Sequence, residues 1–215
     1  MYTKIKEIMA DIPDGISVVA VSKFQSIQKI EDALKAGINV FGENYVNELL
    51  EKQAHFGDRA KFHFIGHLQT NKVKSLVGKA ELIQSVDSIK LAKEIQKHSC
   101  NLGIITDVLI QVNTENEQSK GGISVDELYS LLPEIAGYKN IKVRGLMVIP
   151  PIYAKTEDTK KVFDNIYDIF IDIRGKKLDN VSMEFLSMGM SADYKEAIAC
   201  GSNMVRIGTK IFGKR

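Results

Sequence analysis

Short apolar runs alternate with longer amphipathic stretches from one end of the chain to the other. Residues 16–21 are β-branched and follow Pro13-Asp14-Gly15, which reads as a buried strand after a turn. Residues 26–36 then place Ile27, Ile30 and Leu34 at helical spacing, and Gly37 stops the helix. The alternation continues with strands over 38–41, 62–65, 82–86, 108–112, 143–149, 185–187 and 204–207. Between them helices are expected over 45–54, 73–77, 89–95, 125–136, 157–173 and 192–199, with Pro133 weakening the last turn of its helix and Pro150-Pro151 closing the sixth strand. About eight strand–helix units imply a parallel sheet with right-handed crossovers. With no remainder for a second domain, the expected fold is a single (β/α)8 barrel over residues 1–215, and an open doubly wound sheet is the alternative.

Composition narrows the setting. The 215 residues are 44% hydrophobic and 26% charged, which supports a sizeable core and argues against disorder. No apolar run approaches the roughly 18 residues of a membrane span, and residues 1–9 carry charges where a signal peptide needs an apolar core. Cys100 and Cys200 match no metal spacing and read as ordinary thiols of a reducing compartment. A cytoplasmic protein is expected. A net charge of +2 is too small to argue for nucleic acid, and the basic segment Asn71-Lys72-Val73-Lys74 reads as a solvated helix face.

In such barrels the chemistry gathers at the C-terminal ends of the strands, so residues just beyond each apolar run are informative. Lys23 ends the first run and shares strand parity with Val19 and Val21, so it projects into the barrel mouth if that face lines the interior. An unperturbed lysine is only roughly 0.04% neutral at pH 7, and Schiff-base chemistry needs the neutral amine that partial burial favours. A lysine snorkelling out of a strand end is the plain alternative. Ser187-Met188-Gly189-Met190-Ser191 and Gly208-Thr209 follow the last two strands, where barrels often bind phosphate, although Ser191 also fits a simple helix N-cap. Arg206 lies inside an apolar strand and needs a partner, either a structural carboxylate or an acceptor on a ligand. His63 and His67 are four apart but lie on a strand and its loop, with no third ligand, so a metal site is not expected.

Taken together, the residues resemble the pyridoxal phosphate homeostasis proteins, whose fold is similar to the barrel domain of alanine racemases. The resemblance rests on Val19-Ala20-Val21-Ser22-Lys23, Phe41-Gly42-Glu43-Asn44-Tyr45-Val46, and Phe62-His63-Phe64-Ile65-Gly66-His67-Leu68-Gln69-Thr70-Asn71-Lys72. It extends through Ser119-Lys120-Gly121-Gly122, Arg144-Gly145-Leu146-Met147, Leu186-Ser187-Met188-Gly189-Met190-Ser191 and the segment from Met204 to Gly213. It implies that Lys23 binds pyridoxal 5′-phosphate (PLP) as a Schiff base, and that Ser191, Gly208 and Thr209 hold the phosphate. It also places Arg206 against the pyridine nitrogen and Asn44 near the ring.

A guanidinium partner donates hydrogen bonds and cannot support a protonated pyridine, the electron sink of most PLP chemistry. Racemases that share the barrel add a second domain with a catalytic tyrosine, and Arg215 follows the eighth strand too soon for one. The expectation is therefore a monomeric, largely non-catalytic PLP carrier that supplies apo-enzymes and supports vitamin B6 balance. The alternative is a small PLP enzyme such as an amino-acid racemase, in which Tyr45 or Tyr194 would act as acid or base. A third reading, a barrel enzyme for another phosphate ester, predicts no cofactor absorbance.

Overall fold

A computed structural model describes residues 1–114, 121–150 and 156–213. Ser119 and Lys120 of one motif, Pro151 and the terminal Arg215 lie outside the described residues.

Eight parallel strands close into a barrel in sequence order. They are β1 (Ser17–Val21), β2 (Val40–Glu43), β3 (Lys61–Phe64), β4 (Leu82–Val86), β5 (Thr106–Val112), β6 (Ile141–Val148), β7 (Val181–Met190) and β8 (Met204–Ile207). Pairing of β8 back onto β1, with Val19 opposite Arg206, excludes the open sheet. The helices are α1 (Tyr2–Ala10), α2 (Ile27–Lys35), α3 (Val46–Phe56), α4 (Val73–Leu76), α5 (Ile89–Leu102), α6 (Val125–Ala136), α7 (Thr156–Gly175), α8 (Tyr194–Ala199) and α9 (Thr209–Phe212).

Local chemistry sets many of these boundaries. Ser26 accepts the Lys29 N–H at the start of α2, and Ser88 accepts the Leu91 N–H at the start of α5. Ser124 and Glu127 form a reciprocal capping box on α6, which runs on through Pro133 to Ala136. None of the helices among the described residues is long and apolar enough to cross a membrane.

Two apolar layers result. The larger lies between strands and helices and includes Phe41, Phe62, Phe64, Leu91, Ile95, Phe163 and Leu186. The smaller fills the barrel interior with Val19, Leu82, Leu109, Met147 and Met204. Val19 is therefore interior, so the parity expected of the first strand is correct and Lys23 follows on that side.

Three sequence expectations need correction. The second strand covers 40–43 rather than 38–41, so Gly42 and Glu43 are strand residues paired with His63 and Phe64. The seventh strand is ten residues long, so Met188, Gly189 and Met190 belong to it rather than to a loop. Gly189 (φ +93°) permits close packing: a β-carbon there would lie 2.5 Å from the Ala197 side chain and 3.0 Å from Tyr194 Cα. Finally, the helix expected from residue 192 starts at Tyr194 with Asp193 before it, so Ser191 is not its cap.

Candidate functional site

At the C-terminal end of the barrel a cavity of about 370 Å³ is lined by Lys23, Asn44, Ser191, Arg206, Gly208 and Thr209. These are the six candidates of the sequence, and they come from four different strand ends. The volume falls within the range of small-molecule sites, roughly 300–1,000 Å³. Val21, Ile65, Ile149 and Met190 add apolar wall.

Lys23 is half-buried, two residues past the end of β1. Phe24 follows with φ +62°, a conformation uncommon for a side chain other than glycine, asparagine or aspartate. Asn44 lies just beyond β2, and its Oδ1 is buried without a hydrogen-bond partner among the described residues. Gly66 makes that position possible, because a β-carbon there would fall 2.2 Å from the Asn44 carbonyl oxygen.

Ser191 connects the last two strand ends. Its Oγ accepts the Gly208 N–H at 3.1 Å and the Lys210 N–H at 3.4 Å. Two backbone donors therefore converge on one oxygen beside Thr209, the geometry that also suits an anion's oxygen.

Arg206 is 4% exposed. Its guanidinium donates to the Ser187 carbonyl and hydroxyl at 2.8 and 2.7 Å, and to the Val148 carbonyl at 2.8 Å. Among the described residues no carboxylate pairs with it at ion-pair distance, which disfavours the structural salt bridge. Burial pulls its pKa down to about 10, against the opposing charge of Asp193, so it stays a cation at neutral pH.

Below Arg206 a polar chain crosses the barrel interior. Ser187 Oγ donates to Gln84 Oε1 at 2.7 Å, and Gln84 Nε2 meets His63 Nδ1 at 2.9 Å. Burial pushes His63 down to about 4, so it is neutral, and its Nδ1 accepts from Gln84. His67, by contrast, is exposed and faces Asp87 at 3.2 Å. The two histidines of the i,i+4 pair thus serve separate surroundings.

A further cluster behind Lys23 joins Ser22, Glu43, Glu48 and Lys52. Glu43 is fully buried and Lys52 is 4% exposed. Lys52 Nζ donates to Glu43 at 2.8 Å, to Glu48 at 3.0 Å and to the Ser22 carbonyl at 2.8 Å. Burial pushes the Glu43 carboxyl up, against the pull of Lys52 and Ser22. Burial acts the same way on Glu48, but the Phe24 N–H and Lys52 outweigh it and hold Glu48 low.

Sequence reasoning assigned nothing to Gln84 or Lys52 and no role to Glu43, and it counted Ser187 in the phosphate segment, whereas the structure turns Ser187 to Gln84 and Arg206 in the barrel interior. The signals were present: Gln84 and Ser85 sit inside an apolar strand, Glu43 ends one, and Glu48 and Lys52 are four apart on one helix.

The alanine racemase N-terminal domain family model matches residues 1–215. A pyridoxal phosphate homeostasis protein of Aquifex aeolicus is 41% identical over 199 residues, covering 92% of this chain and 86% of the relative. That of Synechocystis is 36% identical, covering 97% and 96%. The chain belongs to the pyridoxal phosphate homeostasis protein family.

Family membership agrees with the solved structures. PipY of Synechococcus elongatus, in a form with PLP bound, superposes with a TM-score of 0.92 at 30% identity over 99% of both chains. Its form without PLP gives 0.93 at 31%. An alanine racemase of Clostridium difficile shares the fold alone, with a TM-score of 0.75 at 15% identity over 99% of this chain and 58% of the racemase. In this member of the family, the two strand ends that carry Ser191 and Gly208 meet through hydrogen bonds, and Lys23 lines the same cavity.

Proposed function

We propose that this protein binds PLP on Lys23, holds it and supplies it to other proteins, with little catalysis of its own. The observation that carries this reading is the convergence of one lysine, one buried arginine and a two-amide cradle in a single cavity. The fit is supported by two features. Among the described residues Asn44 Oδ1 is a buried acceptor without a partner, and Arg206 is a buried cation held by carbonyls and a hydroxyl rather than by a carboxylate.

When bound, PLP supplies an aldehyde that condenses with a primary amine and a ring that draws electrons from it. Lys23 provides the amine at the rim. Ser191, Gly208 and Thr209 would hold the phosphate, the Gly208 and Lys210 amides turning to it from Ser191 Oγ. Arg206 donates only, so a ring nitrogen placed against it would be kept without a proton. That keeps the ring a weak electron sink and favours holding over turnover. The relatives' designation as homeostasis proteins supports the same role.

A racemase reading needs an acid–base group at the cavity. Tyr194 is 3% exposed, donates to Asp11 at 2.8 Å and is pushed up to about 12 by burial and Asp11. It is committed elsewhere. Tyr45 is half-exposed at the rim, against Phe24.

The deciding experiment is the visible spectrum of the purified protein after incubation with PLP, before and after borohydride, followed by peptide mapping. The expected result is a visible band and a stable pyridoxyl adduct on the Lys23 peptide, both lost in Lys23→Ala. Absence of the band, or an adduct confined to other lysines, overturns the reading. Amino-acid turnover that disappears in Lys23→Ala would favour the enzyme instead.

A further inference from the structure

Lys23 is bracketed by two peptide groups, and both are held by one cluster. The carbonyl before it, of Ser22, accepts Lys52 Nζ at 2.8 Å. The amide after it, of Phe24, donates to Glu48 Oε2 at 2.8 Å. Lys52 also donates to Glu48 at 3.0 Å and to Glu43 at 2.8 Å, and Ser22 Oγ donates to the same Glu43 oxygen at 2.5 Å. One ammonium therefore ties together the end of β1, the end of β2 and the first turns of α3.

We infer that Ser22, Glu43, Glu48 and Lys52 act as positioning residues for Lys23, gripping the backbone on both sides of it so that its side chain is directed into the cavity. This rests on the reading that Lys23 carries PLP.

Three physical points support the inference. First, Phe24 at φ +62° lies in a region that disfavours residues with a β-carbon by roughly 1–2 kcal/mol. Its N–H is fixed by a charged acceptor, and such conformations persist where the surroundings over-determine them. Second, buried ion pairs contribute little net stability compared with apolar residues of similar size. What the cluster supplies is geometry. Third, Glu48 and Lys52 share one helix face, so the grip on Phe24 and the grip on Ser22 are a fixed distance apart.

The test uses Lys52→Met, Glu48→Leu and Glu48→Gln, the last keeping an oxygen acceptor for the Phe24 amide. Arg144→Met is the control. It cuts the ion cluster with Asp107 and Glu184 at the opposite end of the barrel, away from the cavity. The first readout is the rate at which an amine-reactive ester modifies Lys23, relative to the other lysines, in cofactor-free protein, measured by peptide mass spectrometry. The second is the rate at which the visible band forms after mixing with PLP.

Lys52→Met and Glu48→Leu should change the relative Lys23 modification rate by about tenfold, and slow band formation by a comparable factor, as expected for a displaced reactive group. Glu48→Gln should stay close to wild type, and Arg144→Met should leave both rates unchanged at any loss of melting temperature. If Lys52→Met does not fold, the Glu48 pair, at a partly exposed position, carries the test. Unchanged Lys23 rates in Glu48→Leu, equal impairment in Glu48→Gln, or the same shift in Arg144→Met would each overturn the inference. A wild-type protein that forms no band would instead sink the PLP reading, while the modification rates would still report on the positioning.

Discussion

Ser191 shows how much of the site depends on a single oxygen. A serine after a strand and before a helix reads as an N-cap, and the same atom in the folded chain accepts two amides from the far side of the last strand. In the bound protein its hydroxyl would donate to a phosphate oxygen, a bond that its removal takes away while disturbing little packing. Ser191→Ala should therefore weaken PLP binding by about 1 kcal/mol, the net value of a typical hydrogen bond, or roughly fivefold in Kd. Equilibrium dialysis of the variant would measure it, with the melting temperature of the cofactor-free protein nearly unchanged. A much larger loss would mean that the hydroxyl orders the whole loop. Arg206 was legible as an anomaly because a guanidinium cannot sit in an apolar strand without acceptors. Which acceptors it found was not, since Ser187 and Val148 lie 19 and 58 residues away in sequence.

At the scale of elements, the barrel was readable because its interior and its helices impose different periods. The expected bounds 82–86 and 125–136 coincide with the observed ones, and the structure supplies the reason for the second, a capping box of Ser124 and Glu127 at its start. The expected seventh strand covers only its apolar centre, 185–187, although Val181-Ser182-Met183-Glu184-Phe185 alternates apolar and polar residues as a half-buried strand does, a signal too short to stand out after a long helix. The observed strand pairs with β6 from Val181 onward, a fact of tertiary contact. Its glycine gives the clearest test at this scale. Gly189→Ala forces a β-carbon into the left-handed region and to 2.5 Å from Ala197, so β7 and α8 must separate. The expected loss is roughly 2–4 kcal/mol, from strain and overpacking together, read as a lower denaturant midpoint. Ser191 follows two residues later, so PLP affinity should fall with it.

Across the whole molecule, the barrel interior carries its own pH dependence. His63 is the last member of the chain that begins at Arg206, and burial pushes it from 6.5 down to about 4. The folded state therefore favours the neutral ring. Above pH 6.5 both folded and unfolded chains hold it neutral and its contribution is complete. Between pH 6.5 and 4 the unfolded chain takes up a proton that the folded chain refuses, so stability falls as pH falls; below about 4 both are protonated and the slope from this residue ends. The shift corresponds to about 3 kcal/mol lost across that window. Urea unfolding at a series of pH values should show this loss in the wild type. In His63→Gln, whose amide oxygen can still accept from Gln84, the slope between pH 6.5 and 4 should be shallower by that amount, leaving the part due to carboxylates. An equal slope in both proteins would show that the folded barrel admits a charged His63, and the hydrogen-bond chain would then have to run in the reverse direction, with His63 donating to a turned Gln84 amide.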